Sequence, residues 1–577
     1  MTASGPAARC PIRYADDWTR LLILDYLDAS APGDYTCDVC IIGAGPAGIA
    51  VASAFADSRY RVCVIESGGF DSDSMTHALS EGDSVGPIDF DPSLCRLRAI
   101  GGSSRLWGGG CVPLTRLDMA PRDWVPASGW PLGFDELVAW WEQARGLLDI
   151  APRHGIGDGG FADGRFAHAL PLQPERIVDR VCYISPVKFQ SRYRAMFGDS
   201  ANITLVLHAT LTELVAGPEG SRVRVGRIGS LAGRRGTVRA RHYVLAGGAI
   251  ENARLLLASD GSHPRGMGND HDQVGRHFMD HPRCVAGKVV DGDLHALLRP
   301  YNSSELRKEF PRYRELALSD DVQREQRLLN ARARPYPVTA STPAGLQALR
   351  ELRANFRQPA NDAGAGVETI VQRALDAGIP TAAGCAPAAG VRRGRLLLRV
   401  GMNASHVARA MTRRLRSRPL DTYRHVALMT YFEQSPNPDS RVTLADTRDA
   451  LGMRRVRVDW RVAELDYASY RVAAGIFGEE AARACGGRFE PEPWVRDPAL
   501  QPALVGTAHH LGTTRMSARA EDGVVDPDCR VHGMENLHVA GSSVFPTGGW
   551  AFPTFTIVAL ALRLSDRLRR GLEIAGA

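Results

Sequence analysis

No apolar run in this 577-residue chain is long enough to cross a bilayer: the longest, FTIVALAL, falls far short of the ~20 residues that a spanning helix needs. The first residues, MTASGPAARCPIRYADDW, lack the basic n-region and apolar h-region of a secretory signal. The 11 cysteines are odd in number and scattered without framework spacing, so a disulfide scaffold is not expected and a reducing compartment is. Cys37 and Cys40 form a CxxC that no second pair follows; at the start of an apolar strand they read as packing residues rather than as a metal or redox pair. Neither sign of charge dominates, and a net +6 is too mild at this length to argue for a nucleic-acid partner. Asp, Glu and His show no metal-ligand spacing, and there is no internal repeat or low-complexity tract. These absences leave a cytoplasmic, soluble globular protein with no metal and no membrane attachment.

What the chain does have is an ordinary core composition, 44% hydrophobic and 23% charged, and 59 glycines gathered in clusters. From Cys37 the sequence DVCIIGAGPAGIAVASAFADSRYRVCVIES reads as strand, glycine turn, apolar helix and second strand. Gly43, Gly45 and Gly48 make the turn a GxGxxG, which lets backbone approach a pyrophosphate at a helix N-terminus. Glu66 closes the second strand where a carboxylate accepts from a ribose hydroxyl. This motif marks an adenine dinucleotide and does not separate FAD from NAD. Residues 200–257 repeat the strand–turn–helix theme, ending in YVLAGGAIENARLLLAS. A helix is expected at DDWTRLLILDYLD, and further helices at GLQALRELRANF and HVARAMTRRLRSR within a polar, Arg-rich stretch at 290–420. The basic runs around 391–418 read as a solvated face.

Residues 100–110, IGGSSRLWGGG, are too Gly-rich for a strand and too long for a hairpin turn, and such a loop lets a flat ligand lie against backbone. Joined to the first motif, to Trp124 with Gly129-Trp130-Pro131, to VGRHFMDHP, to SPNPDSRVTL and to HHLGTTRM…NLHVAGSSVFPTGGWAFPT, this loop makes the chain resemble the glucose–methanol–choline (GMC) flavin oxidoreductases from about residue 38 to 568. The resemblance implies an α/β protein: a Rossmann-like FAD-binding domain and a substrate domain built on an antiparallel sheet plus helices. The expected division is an N-terminal arm at 1–36, FAD-binding segments at 37–115, 195–285 and 520–577, and substrate-domain segments at 116–194 and 286–519.

It also implies oxidation of a small-molecule alcohol by hydride transfer to flavin, with Gly43, Gly45, Gly48, Glu66, Gly101, Gly102, Ser103, Ser104, Gly108, Ala246, Gly247, Gly541, Ser542, Pro553 and Thr554 around FAD. Trp107 belongs beside the ring and the substrate. Where some members tether FAD covalently through a histidine this chain has Leu106, so FAD is expected to be non-covalent. The helix that starts at Pro553 is expected to aim its positive end at the flavin. The electron acceptor is not legible.

In TAHHLGTTRM the resemblance implies a catalytic histidine three residues before the glycine of the Gly-Thr step, which is His509 before Gly512, and leaves His510 a packed neighbour. Imidazole, ordinarily near pKa ~6.5, accepts an alcohol proton at neutral pH. His281 and Arg276 read as structural. One position departs from the family pattern: Phe552 stands where many relatives have Asn or His. Three readings stay open. Trp550, Thr547 or His510 supplies the missing donor; His509 acts alone; or the chemistry is not ordinary alcohol oxidation, as in a lyase that retains FAD. Phe552 itself reads as an apolar wall of the substrate pocket. The alternative from another class is an NAD(P)-dependent dehydrogenase. For the substrate, a sugar, polyol or natural-product intermediate of specialised metabolism is expected.

Overall fold

The computed structural model describes residues 22–150, 155–161, 169–301, 311–341, 366–376 and 422–574, with a few isolated positions between 348 and 408. The helices expected at 345–356 and 406–418, and the basic runs, lie largely outside the described residues.

A mixed eight-stranded sheet carries the glycine motifs. It gathers β1 (Leu22–Asp25), β2 (Asp34–Ile42), β3 (Val62–Ile65), β4 (Ile203–Leu207), β5 (Thr210–Ala216), β6 (Val223–Gly229) and β7 (Arg235–Leu245), in the order β1-β4-β3-β2-β7-β6-β5. Leu537–Val539 adds a short strand parallel to the end of β7. β1 to β4, β3 and β2 run parallel, as does β7 against β2, while β5 and β6 return antiparallel. The central strands read as continuous apolar runs because both faces are covered. The helix α1 (Pro46–Phe55) links β2 to β3 and is apolar all round, since it lies between the sheet and the C-terminal helix.

The structure corrects the reading of the N-terminal arm. Residues 22–25 are not helical: they form β1, paired in register with Thr204–Leu207, and β2 begins at Asp34, inside the segment assigned to the arm. The Leu-Ile-Leu run suits either state, and an open sheet edge decides for strand. Cys37 and Cys40 pack inside β2, fully buried with Cys63 of β3, as expected of core residues.

The second sheet is antiparallel and seven-stranded. Its centre is β8 (Arg283–Val290), β9 (Arg312–Leu318), β10 (Ala331–Ser341) and β11 (Thr422–Phe432), in the order β8-β11-β10-β9, flanked by Arg488–Pro491 beyond β8 and by Ile177–Ile184 and Gly110–Cys111 beyond β9. Four further helices frame the two sheets: α2 (Phe134–Leu148), α3 (Ala249–Ala258), α4 (Glu464–Cys485) and α5 (Pro553–Ile574). The period of two along each strand sends Leu316, Leu318, Ala331, Ala333, Val426 and Leu428 into one apolar core with Ala473, Phe477 and Ala481 of α4. The opposite face is thereby turned toward the first sheet's loops. No helix among the described residues is long and apolar enough to cross a membrane.

The turn between β2 and α1 is packed backbone against backbone. Gly43 has φ +103°, and a Cβ there would stand 2.7 Å from the Ala246 carbonyl oxygen; a Cβ on Gly48 would stand 1.9 Å from the Gly43 oxygen. Backbone atoms cannot step aside as a flexible side chain can, so Gly48→Ala is expected to destabilise the protein by at least about 3 kcal/mol. A lowered urea midpoint checks it.

Candidate active site

The glycine loops converge at the C-terminal ends of β2, β3 and β7. Gly43 N–H donates to Ile65 O at 2.8 Å, Ala246 N–H to Ile42 O at 2.8 Å and Gly101 N–H to Ala44 O at 2.8 Å. Gly102 meets Gly45 directly, its Cβ position being 3.3 Å from the Gly45 Cα. Glu66 accepts from Ala44 N–H at 2.7 Å and from Gly68 N–H at 2.8 Å, so this buried carboxylate first of all holds the turn. Burial raises its pKa, against those two amide bonds. Around this cradle, Cβ atoms built on Gly45, Gly108, Gly248 and Gly541 would meet no atom within 4 Å. The α1 N-terminus has no side-chain cap. Open glycines beside uncapped N–H groups fit an adenine dinucleotide pyrophosphate.

Of the other expected cofactor residues, Gly247 N–H donates to Asn252 Oδ1 (2.9 Å), and Asn252 Nδ2 donates to Ser543 Oγ (3.1 Å). Ser542 Oγ donates to His510 O at 2.7 Å, and Ser104 Oγ to Gly101 O at 2.5 Å. Ser103 lies exposed in the same turn. Trp107 rests against Phe189, its indole N–H reaching Val187 O at 3.3 Å. Pro553 and Thr554 open α5, as expected.

The histidine loop is stitched between the two sheets. Gly512 and Thr514 N–H groups donate to the carbonyls of Ser542 and Ser543, while Leu511 and Val505 bridge to Met279 and Arg283. Its organiser is Asp280, which sequence reasoning missed. The fully buried Asp280 carboxylate accepts from the N–H groups of Thr507 (3.1 Å), Ala508 (3.1 Å), His509 (2.9 Å) and His281 (2.6 Å), and from Thr507 Oγ1 (2.9 Å). Wrapping three consecutive amides around one carboxylate drives Ala508 to φ +59°, an unusual value for a residue with a side chain. Burial lifts the Asp280 pKa to about 6 against those bonds.

His509 is half-buried, and its Nδ1 lies 3.0 Å from Nδ1 of the buried His281. One proton serves that contact, so the two rings fix each other's tautomers. His281 Nε2 is buried with no hydrogen-bond partner among the described residues; with the shared proton on His509 Nδ1, His281 Nδ1 is the acceptor. His509 Nε2 then carries the lone pair. Burial holds His509 well below the ordinary imidazole range, reinforced by His281, Arg332, His510 and Arg283, and burial takes His281 down to about 4. His281, read as structural, lies 228 residues from His509 in sequence and touches it. Arg276 is structural as read, paired with Asp272.

The candidate donors fare unequally. Thr547 Oγ1 donates to Asp118 O (2.8 Å) and accepts from Trp130 Nε1 (3.0 Å), so it is committed to the scaffold. His510 packs between Phe90 and Phe278, with ring centroids at 5.4 and 5.5 Å. Trp550 is buried with its indole N–H unpartnered among the described residues. Phe552 stands edge-on to His509 at 5.7 Å, with the Arg332 guanidinium 4.3 Å from its ring centre. The turn before it is pinned by Glu433, which holds Gly549 N–H (3.3 Å) and forms a fully buried pair with Arg122 (2.6 Å). Among the described residues no cluster of His, Cys, Asp and Glu could hold a metal ion.

Buried histidines set an acid limit. Burial lowers His242 and His281 to about 4 and His277, His510 and His538 to about 3. The unfolded chain takes up protons on them as pH falls below ~6.5, whereas the folded one does not. Stability is therefore lost as pH falls from ~6.5 toward 4. Asp118 and Asp280, raised to about 6, and Asp466, raised to about 7, act oppositely but are outnumbered. Thermal midpoints measured from pH 8 to 4.5 should fall steadily below pH 6.5.

Comparison with known proteins agrees with this geometry. The GMC oxidoreductase family, through its C-terminal domain, matches residues 436–561. A 2-methyl-1,2-propanediol dehydrogenase of Mycolicibacterium austroafricanum is 35% identical over 149 residues, and the chain spans only 25% of that relative's length. The 6'''-hydroxyparomomycin C oxidase of Streptomyces lividus is 24% identical over 93% of this chain and 92% of its own. Among solved structures, a formate oxidase from Aspergillus oryzae superposes with a TM-score of 0.53 at 17% identity, covering 94% of this chain and 100% of that one.

Proposed function

We propose that the chain is a GMC oxidoreductase, as its match to that family's C-terminal domain and its full-length similarity to a GMC-type oxidase support, and that it oxidises a hydroxyl group of a sugar, polyol or natural product, with His509 as the base. FAD is the cofactor of this family, and when bound it supplies the acceptor for the two electrons that leave the alcohol carbon. The residues of this chain do the rest. The cradle of Gly43, Gly45, Gly48, Gly102 and Gly247 holds the dinucleotide, without a covalent bond since Leu106 offers no nucleophile. The substrate hydroxyl proton passes to His509 Nε2, and His281 shares the resulting charge through the Nδ1 contact. The lowered basicity of His509 keeps its ring unprotonated at neutral pH.

The observation that carries this reading is the His281–His509 pair, held by Asp280 between the glycine loops and the second sheet. In this reading His281 takes the part of the polar group missing at Phe552: it supports His509 from behind, through its Nδ1, and the aromatic ring walls the front. A lyase-like member that retains FAD without cycling it is the second reading, and the absence of a polar group at Phe552 favours it. Anaerobic mixing of the yellow holoenzyme with sugars and polyols separates the two. Bleaching of the flavin band supports alcohol oxidation; turnover of a substrate with no bleaching supports the lyase. The nicotinamide alternative is set aside with the family.

A further inference from the structure

The face of the second sheet turned away from α4 is lined with arginine and tyrosine. In β10 the period of two puts Arg332, Arg334 and Tyr336 on it. Register then sets Tyr431 of β11 beside Arg332, and Arg283 of β8 beside Tyr431. On β9, Ala317 pairs Arg332, so Glu315 and Tyr313 share the face. Arg180 of the neighbouring strand lies opposite Glu315 and pairs with Asp320, so four guanidiniums share this face, with Glu315 as the carboxylate on it.

The four are not equivalent. Arg332 Nη1 pairs with Glu315 at 2.5 Å, and its guanidinium is layered on Tyr431 (3.9 Å) and Phe552 (4.3 Å), which anchors the sheet face to the wall beside His509. Arg283 donates to the Leu375 carbonyl. Arg334 is half-buried between Tyr313 (4.9 Å) and Tyr336 (5.7 Å), and among the described residues no carboxylate pairs with it. Glu315 favours its charged form without touching it and is paired with Arg332, so a ligand anion would give this partly desolvated cation a direct partner of its own. It stands one strand repeat, about 7 Å, along from Arg332, and thus a sugar ring's width from the Phe552 wall. The phenols of Tyr336 and Tyr431, 3.4 Å apart, offer hydrogen bonds between those two points.

We propose that the substrate carries an anionic group, a carboxylate or a phosphate monoester, which pairs with Arg334 while its reacting hydroxyl lies at His509. This rests on the alcohol-oxidation reading above. An amine-bearing sugar would meet like charge on this face, which sets the chain apart from an enzyme built for polycationic aminoglycosides.

The test uses the holoenzyme and four congeners sharing one reacting hydroxyl: a hexose, its uronic acid, its 6-phosphate and its amino sugar. Anaerobic flavin reduction should give at least one anionic congener the highest kcat/KM. In Arg334→Met the ratio of anionic to neutral kcat/KM should fall about ten- to a hundredfold, mostly through KM, and Arg334→Lys should recover part of it. Neutral or amino congeners matching the anionic ones, or Arg334→Met lowering all four alike, would overturn the inference. A binding arm needs no turnover: acetate and inorganic phosphate are titrated into the oxidised holoenzyme and followed through the flavin band. A shift abolished by Arg334→Met supports the site, and the effective ion tells carboxylate from phosphate; no shift with either ion overturns it. If an ion binds but no alcohol bleaches the flavin, the oxidation reading fails and the anion site stands. Bleaching by the neutral sugar with no anion preference is the reverse result.

Discussion

His509→Ala is expected to slow flavin reduction by the alcohol about 10³-fold while leaving the protein yellow and folded. The separation of these effects follows from how the residue is held. Its position comes from its backbone N–H on Asp280, which alanine keeps. The lost ring is half-buried, facing His281 and Phe552. What disappears is the lone pair, so added imidazole should restore part of the rate. His510→Ala should behave in the opposite sense. It removes a buried ring between Phe90 and Phe278, so its cost is stability, read in the thermal midpoint, with the rate per folded molecule less affected. A larger rate loss in His510→Ala than in His509→Ala would reverse the assignment within the pair.

Asp280→Asn is expected to lower kcat about a hundredfold and stability by about 3 kcal/mol, although no atom of Asp280 needs to reach the substrate. Five donors converge on its two oxygens. An amide keeps one oxygen and turns an NH₂ toward backbone N–H groups, so at least two buried donors lose their acceptor. Ala508 then has no reason to stay in its left-handed conformation, and relaxation there swings His509 away from His281. Stopped-flow reduction with a saturating alcohol, together with a denaturation curve, checks both parts. A variant that is destabilised yet reduces at the native rate would sink the positioning role.

Much of the cofactor half was legible because its chemistry is local. GxGxxG and YVLAGGA each sit on a strand-to-helix turn, IGGSSRLWGGG on a loop with one short 3-10 turn, all with residues close in sequence, and the structure brings them together. The adjacent histidines were visible too, and the choice of His509 between them rested on the family pattern. The support for His509 was not, since Asp280 and His281 lie more than two hundred residues from it and are brought beside it by the bridges Met279–Leu511 and Arg283–Val505. The Asp-His-Pro stretch was visible, but nothing local to it indicates a second imidazole. Phe552 was noticed as a departure, yet Arg332, which packs on its ring, comes from a strand in another part of the chain. At the N-terminus the LILD run carries no period that distinguishes helix from strand, and only the empty edge beside β4 resolves it.

The first sheet has a consequence for how the protein is made. Its strands come from residues 22–65, 203–245 and 537–539, and α5, which covers α1, follows them. A ribosome must therefore release almost the whole chain before the edge of β7 is paired and the loops around FAD are closed. Until then the nascent chain exposes apolar strands that favour aggregation. Cofactor loading is in this way a quality check on complete synthesis: a chain that terminates shortly before residue 537 retains every glycine of the first motif and still cannot finish the site.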